Sequence, residues 1–545
     1  MRIKGRALVV DDQEVWQELF EELLKELGLE VAVADNYEDA IKLLDSQYFH
    51  LAVLDVRLKD SDEKNRQGME ILSYIDKIDL GDVITKIVIT GYGTREWTRE
   101  SFKAYKVYDF IPKQGPDGKG FDEEDFIQNV ESAFAEKVGI NFGLEIEFVH
   151  GLTLEELASQ VVLTGEDNEQ AKMICWELDD LLRKLFSEAN AILISGVSDG
   201  HSKTSVVRVE PFYEGQGQGQ AGACIVKYGH VDEIQTEADN FEKYVKRFTA
   251  EQRHTSLVTK ARTRLLGGIV YSLVGAPLER ACSFNDFYAK SQIAEICLVL
   301  EDLFSENCRR WYENRQPKRT RNLADLYWQP AGTTLDKLTE SFQHMYPRFV
   351  DQARISFTGI DDEVVNPLHS AFVKEKPIYL PVHTAITHGD LNGDNIFVDK
   401  DNHTWMIDFF RTGEGHILRD FVTLESVIKF QLLDEETLEA LYEFEKALLT
   451  PVNFAEELAL PQIQVSNEMN KAFEAVKCLR RLAGKVIQPS QDMRDYYAGM
   501  FYHTLNLIRY YHLLQLRRRK YYILLSAAML CQKLENLAAT RAGGI

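Results

Sequence analysis

Cysteine is scarce and scattered: seven among 545 residues, with no C-x-x-C pair. That spacing disfavours a structural zinc site and fits a reducing compartment. Positive charge is in deficit. Lys and Arg total 62 against 86 Asp and Glu, a formal net charge of −24. This argues against a general nucleic-acid binder, whose affinity comes from neutralising phosphates. Long apolar runs are missing too. The best candidate, Tyr521 to Cys531, is about half of membrane-spanning length and reads as a buried helix. The opening residues MRIKGRALVVDD lack the apolar run of a signal peptide. A cytoplasmic protein without a membrane span is therefore expected. The composition is otherwise that of ordinary globular material, 45% hydrophobic and 27% charged, enough for about two to four domains.

Residues 1–138 alternate strands and helices. Arg6 to Val10, Val31 to Ala34, Leu51 to Leu54, Lys86 to Ile89 and Tyr108 to Ile111 read as strands. Val15 to Leu27 and Glu38 to Asp45 read as helices between them. The alternation predicts a doubly wound α/β domain with a parallel five-stranded sheet. In such sheets functional groups gather beyond the carboxyl ends of the strands. Those ends carry Asp11, Asp12, Asp55, Thr90 and Lys113. Three acids on one edge repel unless a divalent cation sits between them, and an oxygen-only set suits Mg2+. A hydroxyl and a lysine nearby can steady a phosphoryl group on Asp55.

This segment resembles a response-regulator receiver domain. The resemblance implies Asp55 as phosphoacceptor, Asp11 and Asp12 as Mg2+ ligands beside it, Thr90 and Lys113 as the switch pair, and Phe110 as the switch aromatic. It also implies an upstream histidine kinase or other phosphodonor, and a homodimer through the receiver is one arrangement it allows. Two departures stand out. Gln114 follows Lys113 where the family usually has Pro, so a different backbone is expected there. The loop after Asp55, VRLKDSDEKNRQG, is longer than usual.

Residues 139–190 combine an extended segment with two helices. They read either as a connector or as an extension of the next domain. Residues 191–276 begin with a strand, Ala191 to Ile194, then SGVSDGHSKTS, then a second strand, Val206 to Glu210. A Gly/Ser loop of this kind is either a hairpin turn or a phosphate cradle, through Gly196, Gly200 and Ser202. Gly217-x-Gly219-x-x-Gly222 fits G-x-G-x-x-G but precedes a strand rather than opening a helix. It is read as a flexible hairpin tip and not as a dinucleotide site. Lys227 ends the next strand, and Val231 to Phe248 is helical.

The strongest chemical signal lies at THGDLNGDNIFVDKDNHTWMID, Thr387 to Asp408. Asn395 follows Asp390 by five positions. Ile396-Phe397-Val398 and Trp405-Met406-Ile407 read as a hairpin that brings Asn395 beside Asp408. Phosphoryl transfer needs a carboxylate to orient a hydroxyl, and an amide oxygen plus a second carboxylate to hold Mg2+ against nucleotide phosphates. The spacing is that of kinase catalytic loops.

The order of elements over about residues 191–430 resembles aminoglycoside-phosphotransferase and choline-kinase-like enzymes. The resemblance implies a bilobal α+β kinase-like fold, with a small lobe over 191–276 and a mainly helical large lobe over 277–545. It implies Asp390 as the group that orients the nucleophile, and Asn395 and Asp408 as Mg2+ ligands. Lys227 would grip the ATP phosphates, Glu237 (preferred over Glu233 and Glu242) would hold that lysine, and the backbone near Ser272 to Val274 would meet adenine. Asp420 matches the aspartate that ties the loop to the next helix, and Asn392 departs from the family's usual His. No A-P-E-closed activation segment follows Asp408, which favours a small-molecule acceptor over a protein. The basic run Arg517 to Lys520 reads first as a solvated helix face. No DNA-binding helix-turn-helix follows the receiver.

The expectation is a multidomain two-component protein. Its receiver would control an ATP- and Mg2+-dependent phosphotransferase that acts on a small-molecule hydroxyl or amine. The alternatives are a nucleotide-binding scaffold without turnover and a protein kinase.

Overall fold

The computed structural model describes residues 5–59, 65–91, 103–114, 120–149, 151–161, 168–196, 204–214, 222–248, 254–274, 281–433, 437–460, 465–489, 492–513 and 517–542. The chain forms two compact units: Met1–Ile234 with Val258–Val270, and Gln235–Leu257 with Tyr271–Ile545.

The first unit opens with the expected parallel sheet. Its strands are β1 (Arg6–Val10), β2 (Glu30–Ala34), β3 (Leu51–Asp55), β4 (Thr85–Thr90) and β5 (Asp109–Pro112), in the order β2-β1-β3-β4-β5. Successive residues on a strand face opposite sides, and β1 shows the consequence. Ala7 and Val9 join a core with Phe20, Leu24, Phe126 and Val130. Leu8 and Val10 join the opposite core with Leu44, Ile71 and Ile75. Both faces are thus apolar and helix-covered, as a parallel sheet requires.

Within residues 139–190, one strand joins a second sheet and one long helix packs on it. β6 (Glu145–Phe148) pairs in parallel with β7 (Ala191–Gly196). β8 (Thr204–Phe212) and β9 (Cys224–His230) continue antiparallel. With β10 (His254–Arg262) and β11 (Leu266–Val274) they make a sheet in the order β10-β11-β9-β8-β7-β6. The helix Asn168–Leu185 lays Ile174, Leu178, Leu181 and Leu182 on this sheet. It comes so close that a Cβ on Gly268 would meet Leu185 at 2.8 Å.

The same helix grips the receiver at the amino ends of its strands. Buried His50 Nε2 lies 2.8 Å from Asp180. The Arg6 guanidinium sits 3.7 Å over the Trp176 ring. Arg264 donates to the carbonyls of Asp45 and Gln47, and Arg262 pairs with Asp79 at 2.6 Å. The acids at the other ends of those strands stay clear of this contact.

Among its described residues the second unit is mainly helical, and beyond the ends of β10 and β11 its strands are short: β12 (Ala281–Ser283), β13 (Arg319–Asn322), β14 (Arg354–Ile355), β15 (Val364–Val365), β16 (Tyr379–Val382), β17 (Thr384–Thr387), β18 (Ile396–Asp399), β19 (Thr404–Met406) and β20 (Gly413–His416). The apolar spacing from Phe287 to Phe304 reads as one helix, but the stretch is broken into Phe284–Lys290 and Ile293–Asp302. Gln292 starts the second piece with a reciprocal capping box to Glu295, which supplies partners for the amides at the break.

The long C-terminal helices enclose ion pairs. Arg480 donates to both oxygens of Glu425 at 2.8 and 2.6 Å, and Tyr496 donates to the same carboxylate at 2.5 Å. Lys429 pairs with Glu445 at 2.6 Å, also fully buried. In the basic run, Arg519 donates to the Gln431 carbonyl.

Burial opposes the Glu425 charge, but Arg480 outweighs it and holds the carboxyl below the usual glutamate value. Glu425→Gln leaves the Arg480 charge without its counter-ion, so the full chain should lose about 3 kcal/mol or more of stability at neutral pH. A lowered folded pKa contributes stability above the ordinary carboxylate range and loses it below. Urea unfolding at about pH 7 and about pH 4 should therefore show the variant's deficit shrinking at the lower pH.

Candidate functional site

Two sets of chemistry-bearing residues emerge, one in each unit. In the first, β1 and β3 deliver Asp11, Asp12 and Asp55 to one edge, with carboxylate oxygens from the three within 4.8 Å of one another. Lys113 follows β5 and reaches Asp55 at 2.6 Å and Asp11 at 2.7 Å. All three of these side chains are buried. Burial raises the Asp11 carboxyl to about 6, against the pull of Lys113. Burial also opposes the Lys113 charge, but Asp55 and Asp11 outweigh it and hold its pKa above the lysine value. The acid set can hold one divalent cation, and the lysine supplies the cationic contact.

The Gln114 departure leaves that reach intact. Thr90 ends β4, with its side chain outside the described residues. Phe110 lies half-buried on β5 against the core. The helix after Asp55 comes very close. A Cβ on Gly68 would meet the Asp55 carbonyl at 1.9 Å, so only glycine fits there.

In the second unit the loop after β17 is held from below. Asp420, fully buried at the start of the helix Arg419–Val427, accepts from His388 N at 2.9 Å and Gly389 N at 3.0 Å. Tyr312 donates to it as well, at 3.2 Å. Gly389 takes φ +83° and lies so close to Arg411 that a Cβ would meet its carbonyl at 2.2 Å. Asp390 then emerges half-exposed.

Asn392 caps the short turn Gly393–Asn395, accepting from Asp394 N and Asn395 N. Asn395 donates its amide N–H to the Asp390 carbonyl at 2.9 Å, which leaves the amide oxygen for a ligand. β18 and β19 pair Ile396 with Met406, and Ile407 N donates to the Asn395 carbonyl. Asn395 therefore sits at the open end of the hairpin, beside Asp408. Asp408 has φ +66°, a left-handed conformation that few residues other than glycine adopt.

Next to Asp408, Phe409 packs against Phe241, Tyr271 and His388 at centroid distances of 5.5, 6.1 and 5.4 Å. His388 Nε2 pairs with the Ile407 carbonyl at 2.9 Å. Glu237 is buried and accepts from Tyr271 OH at 2.7 Å and Phe409 N at 3.1 Å. Lys227 belongs to the first unit, where it is buried on β9. Ser272–Val274 close β11. Gly196 ends β7 with open space beside it, whereas Gly200 and Ser202 lie outside the described residues, as do Gly217 and Gly219.

The sequence pattern did not single out Arg411. Its guanidinium lies 3.9 Å from Asp390. Burial opposes its charge, but Asp390 and Tyr510 outweigh that and raise its pKa. Its place immediately after Asp408-Phe409-Phe410 was the available signal.

A model of the family described as Ternary complex associated domain 9 matches residues 193–376 and 365–506, more than half of the chain. The chain belongs to the ternary complex associated domain 9 family. A response regulator receiver domain model matches residues 7–123. Among curated proteins, the response regulator protein PilR of Pseudomonas aeruginosa is 31% identical over 110 residues. That alignment covers 20% of this chain and 23% of PilR. An uncharacterized 14.6 kDa protein of Leptolyngbya boryana is 29% identical over 106 residues, covering 19% of this chain and 76% of its own length.

Among solved structures, a CheY-like response regulator receiver domain protein from Methanospirillum hungatei is 24% identical, with TM-score 0.21, covering 25% of this chain and 97% of its own. A signal receiver domain of an HD domain-containing protein from Pseudomonas fluorescens is 20% identical, with the same TM-score, covering 25% and 98%. The model match over residues 7–123 gives this ternary complex associated domain 9 protein a response regulator receiver domain, which implies a phosphodonor such as a histidine kinase. Among the described residues no helix is long and apolar enough to cross a membrane.

Asp420→Ala strips partners from two buried amides and the Tyr312 hydroxyl. Each orphaned group costs about 1–3 kcal/mol, so thermal unfolding of the family member should fall sharply. Hydrogen exchange at His388 and Gly389 should accelerate.

Proposed function

We propose that the receiver controls an ATP- and Mg2+-dependent phosphotransferase seated at the Asp390 loop, acting on a small-molecule hydroxyl or amine. One observation carries the reading. The second unit brings an outward carboxylate, Asp390, together with an amide oxygen, Asn395, and a second carboxylate, Asp408, on a loop anchored by Asp420. In-line phosphoryl transfer asks the protein for positioning and charge neutralisation and little covalent chemistry.

Asp390 would orient the acceptor and take up its proton. Arg411 beside it, 3.9 Å away, would add a positive charge next to the reacting group. Asn395 and Asp408 offer oxygens of the kind that hold Mg2+, which would neutralise the nucleotide phosphates. Lys227 is assigned the phosphate grip, and Glu237 its support, by their places in the sequence. The hydrogen bonds from Phe409 N and Tyr271 OH fix where the Glu237 carboxylate lies. In the receiver, Asp11, Asp12 and Asp55 would hold Mg2+ while Asp55 takes a phosphoryl group. Lys113 would exchange its Asp55 contact for one to the phosphoryl oxygens. The switch acts on the output only if the two receiver states differ in energy at their contacts with the rest of the chain.

A second reading is a nucleotide-binding scaffold without turnover. The family's description as a domain associated with a ternary complex favours it. ADP release from Mg-ATP separates the two, measured over a panel of amino alcohols, sugars, aminoglycosides and proteins, with and without acetyl phosphate. The enzyme reading expects turnover with at least one acceptor, lost by about a hundredfold or more in Asp390→Ala. It also expects the acetyl phosphate response to vanish in Asp55→Ala. Nucleotide binding without turnover across the panel establishes the scaffold instead.

A further inference from the structure

We propose that Cys297 and Cys478 form a peroxide-sensitive thiol pair, whose oxidation to a disulfide ties the helix Ile293–Asp302 to the helix Asn467–Val486. The two residues sit on packed helices of the second unit. The Cys478 sulfur lies 4.0 Å from the Cys297 carbonyl oxygen. Arg481 stands nearly one turn further along the same helix, and its Nη2 lies 3.7 Å from the Cys478 sulfur. Both cysteines and Arg481 line a cavity of about 450 Å3, walled in part by Phe454, Leu458 and Met493. The cavity gives a small oxidant a route to a sulfur that is otherwise buried.

The local electrostatics separate Cys478 from the remaining cysteines. A hydrogen bond from the Cys297 thiol and the Arg481 charge bring the Cys478 thiol down to about 7, against burial and Glu301. The same hydrogen bond moves Cys297 the other way, with burial and Glu474 acting in the same sense. Glu456, Glu457, Lys477 and Arg480 are the other charged groups around the cavity. Burial raises the thiol pKa of Cys175, Cys224, Cys282, Cys308 and Cys531. The pair thus consists of one thiolate-forming sulfur and one thiol that donates to it, which is the arrangement of a reactive cysteine with its resolving partner. All seven cysteines are unbonded in the reduced chain.

The chemistry balances with hydrogen peroxide as the two-electron oxidant. The Cys478 thiolate attacks one peroxide oxygen and the O–O bond breaks. The leaving hydroxide takes a proton to become water, and Cys478 becomes a sulfenic acid. The Cys297 sulfur then attacks the Cys478 sulfur, the S–O bond breaks, and the departing hydroxide leaves with the Cys297 proton as a second water. Two thiols have lost two electrons to one peroxide.

The test uses the full chain. Peptide mapping after brief exposure to hydrogen peroxide should show the Cys297–Cys478 cross-linked peptide, which dithiothreitol removes. Before oxidation, iodoacetamide at neutral pH should alkylate Cys478 about tenfold faster than Cys175 or Cys282. The midpoint of its pH profile should lie near 7 and rise in Arg481→Gln. Cys297→Ser should leave a Cys478 sulfenic acid that dimedone traps. Equal alkylation rates across the cysteines overturn the proposal. So does peroxide treatment that yields sulfinic acid or other pairings in the intact protein and no Cys297–Cys478 link.

Discussion

One buried carboxylate organises the Asp390 loop of the second unit. Asp420 has no exposed surface and collects two consecutive backbone amides and a tyrosine hydroxyl. A buried carboxylate needs hydrogen-bond partners, and each of these three groups is a donor. Its effect is to fix the chain direction at His388-Gly389, where Gly389 has positive φ and the Arg411 carbonyl crowds in. Asp390 is aimed outward as a result. The strained Asp408, at the same open end of the hairpin, is held in turn by Phe409, whose ring is enclosed by three aromatic side chains and whose amide is bonded to Glu237. Strain of this kind persists where its surroundings over-determine it.

The receiver uses buried charge differently. Lys113 lies between Asp55 and Asp11 in place of a positive ion, so three buried charges form a set that one added cation or phosphoryl group would rearrange. The opposite side of the domain is tied to the helix Asn168–Leu185 through His50 and Arg6, and to the β10–β11 turn through Arg262 and Arg264. The switching edge and the anchored edge of the domain are therefore separate. Any message from Asp55 has to cross the sheet or travel around it.

Most of the receiver was legible because each of its strands is an apolar run ending at a charged or hydroxyl residue, and the parallel order turns those ends into one edge. The hairpin around Asn395 was legible for a similar local reason, two short apolar runs about a turn. The features that escaped depend on distance in the chain. Glu425 and Arg480 are 55 positions apart, and neither carries a local mark of its partner. β10 (HTSLVTKAR) is mostly polar, without the apolar alternation that marks a strand, and does not stand out from loop. The helix expected across Phe287 to Phe304 has continuous apolar spacing, and only the capping pair Gln292 and Glu295 records the break. Residues 139–190 left two readings open because a lone strand gains meaning only when its partner, β7, is known.

The central claim is that the loop from His388 to Asp408 is a nucleotide–metal site and not a structural hairpin. Calorimetric titration of ATP into the full chain, with and without Mg2+, tests it most directly when repeated on Asp408→Asn. Binding that requires Mg2+ and is lost in Asp408→Asn, in a protein that still unfolds like the parent, is the expected result. ATP binding indifferent to both Mg2+ and Asp408, or no binding by the parent, would contradict it.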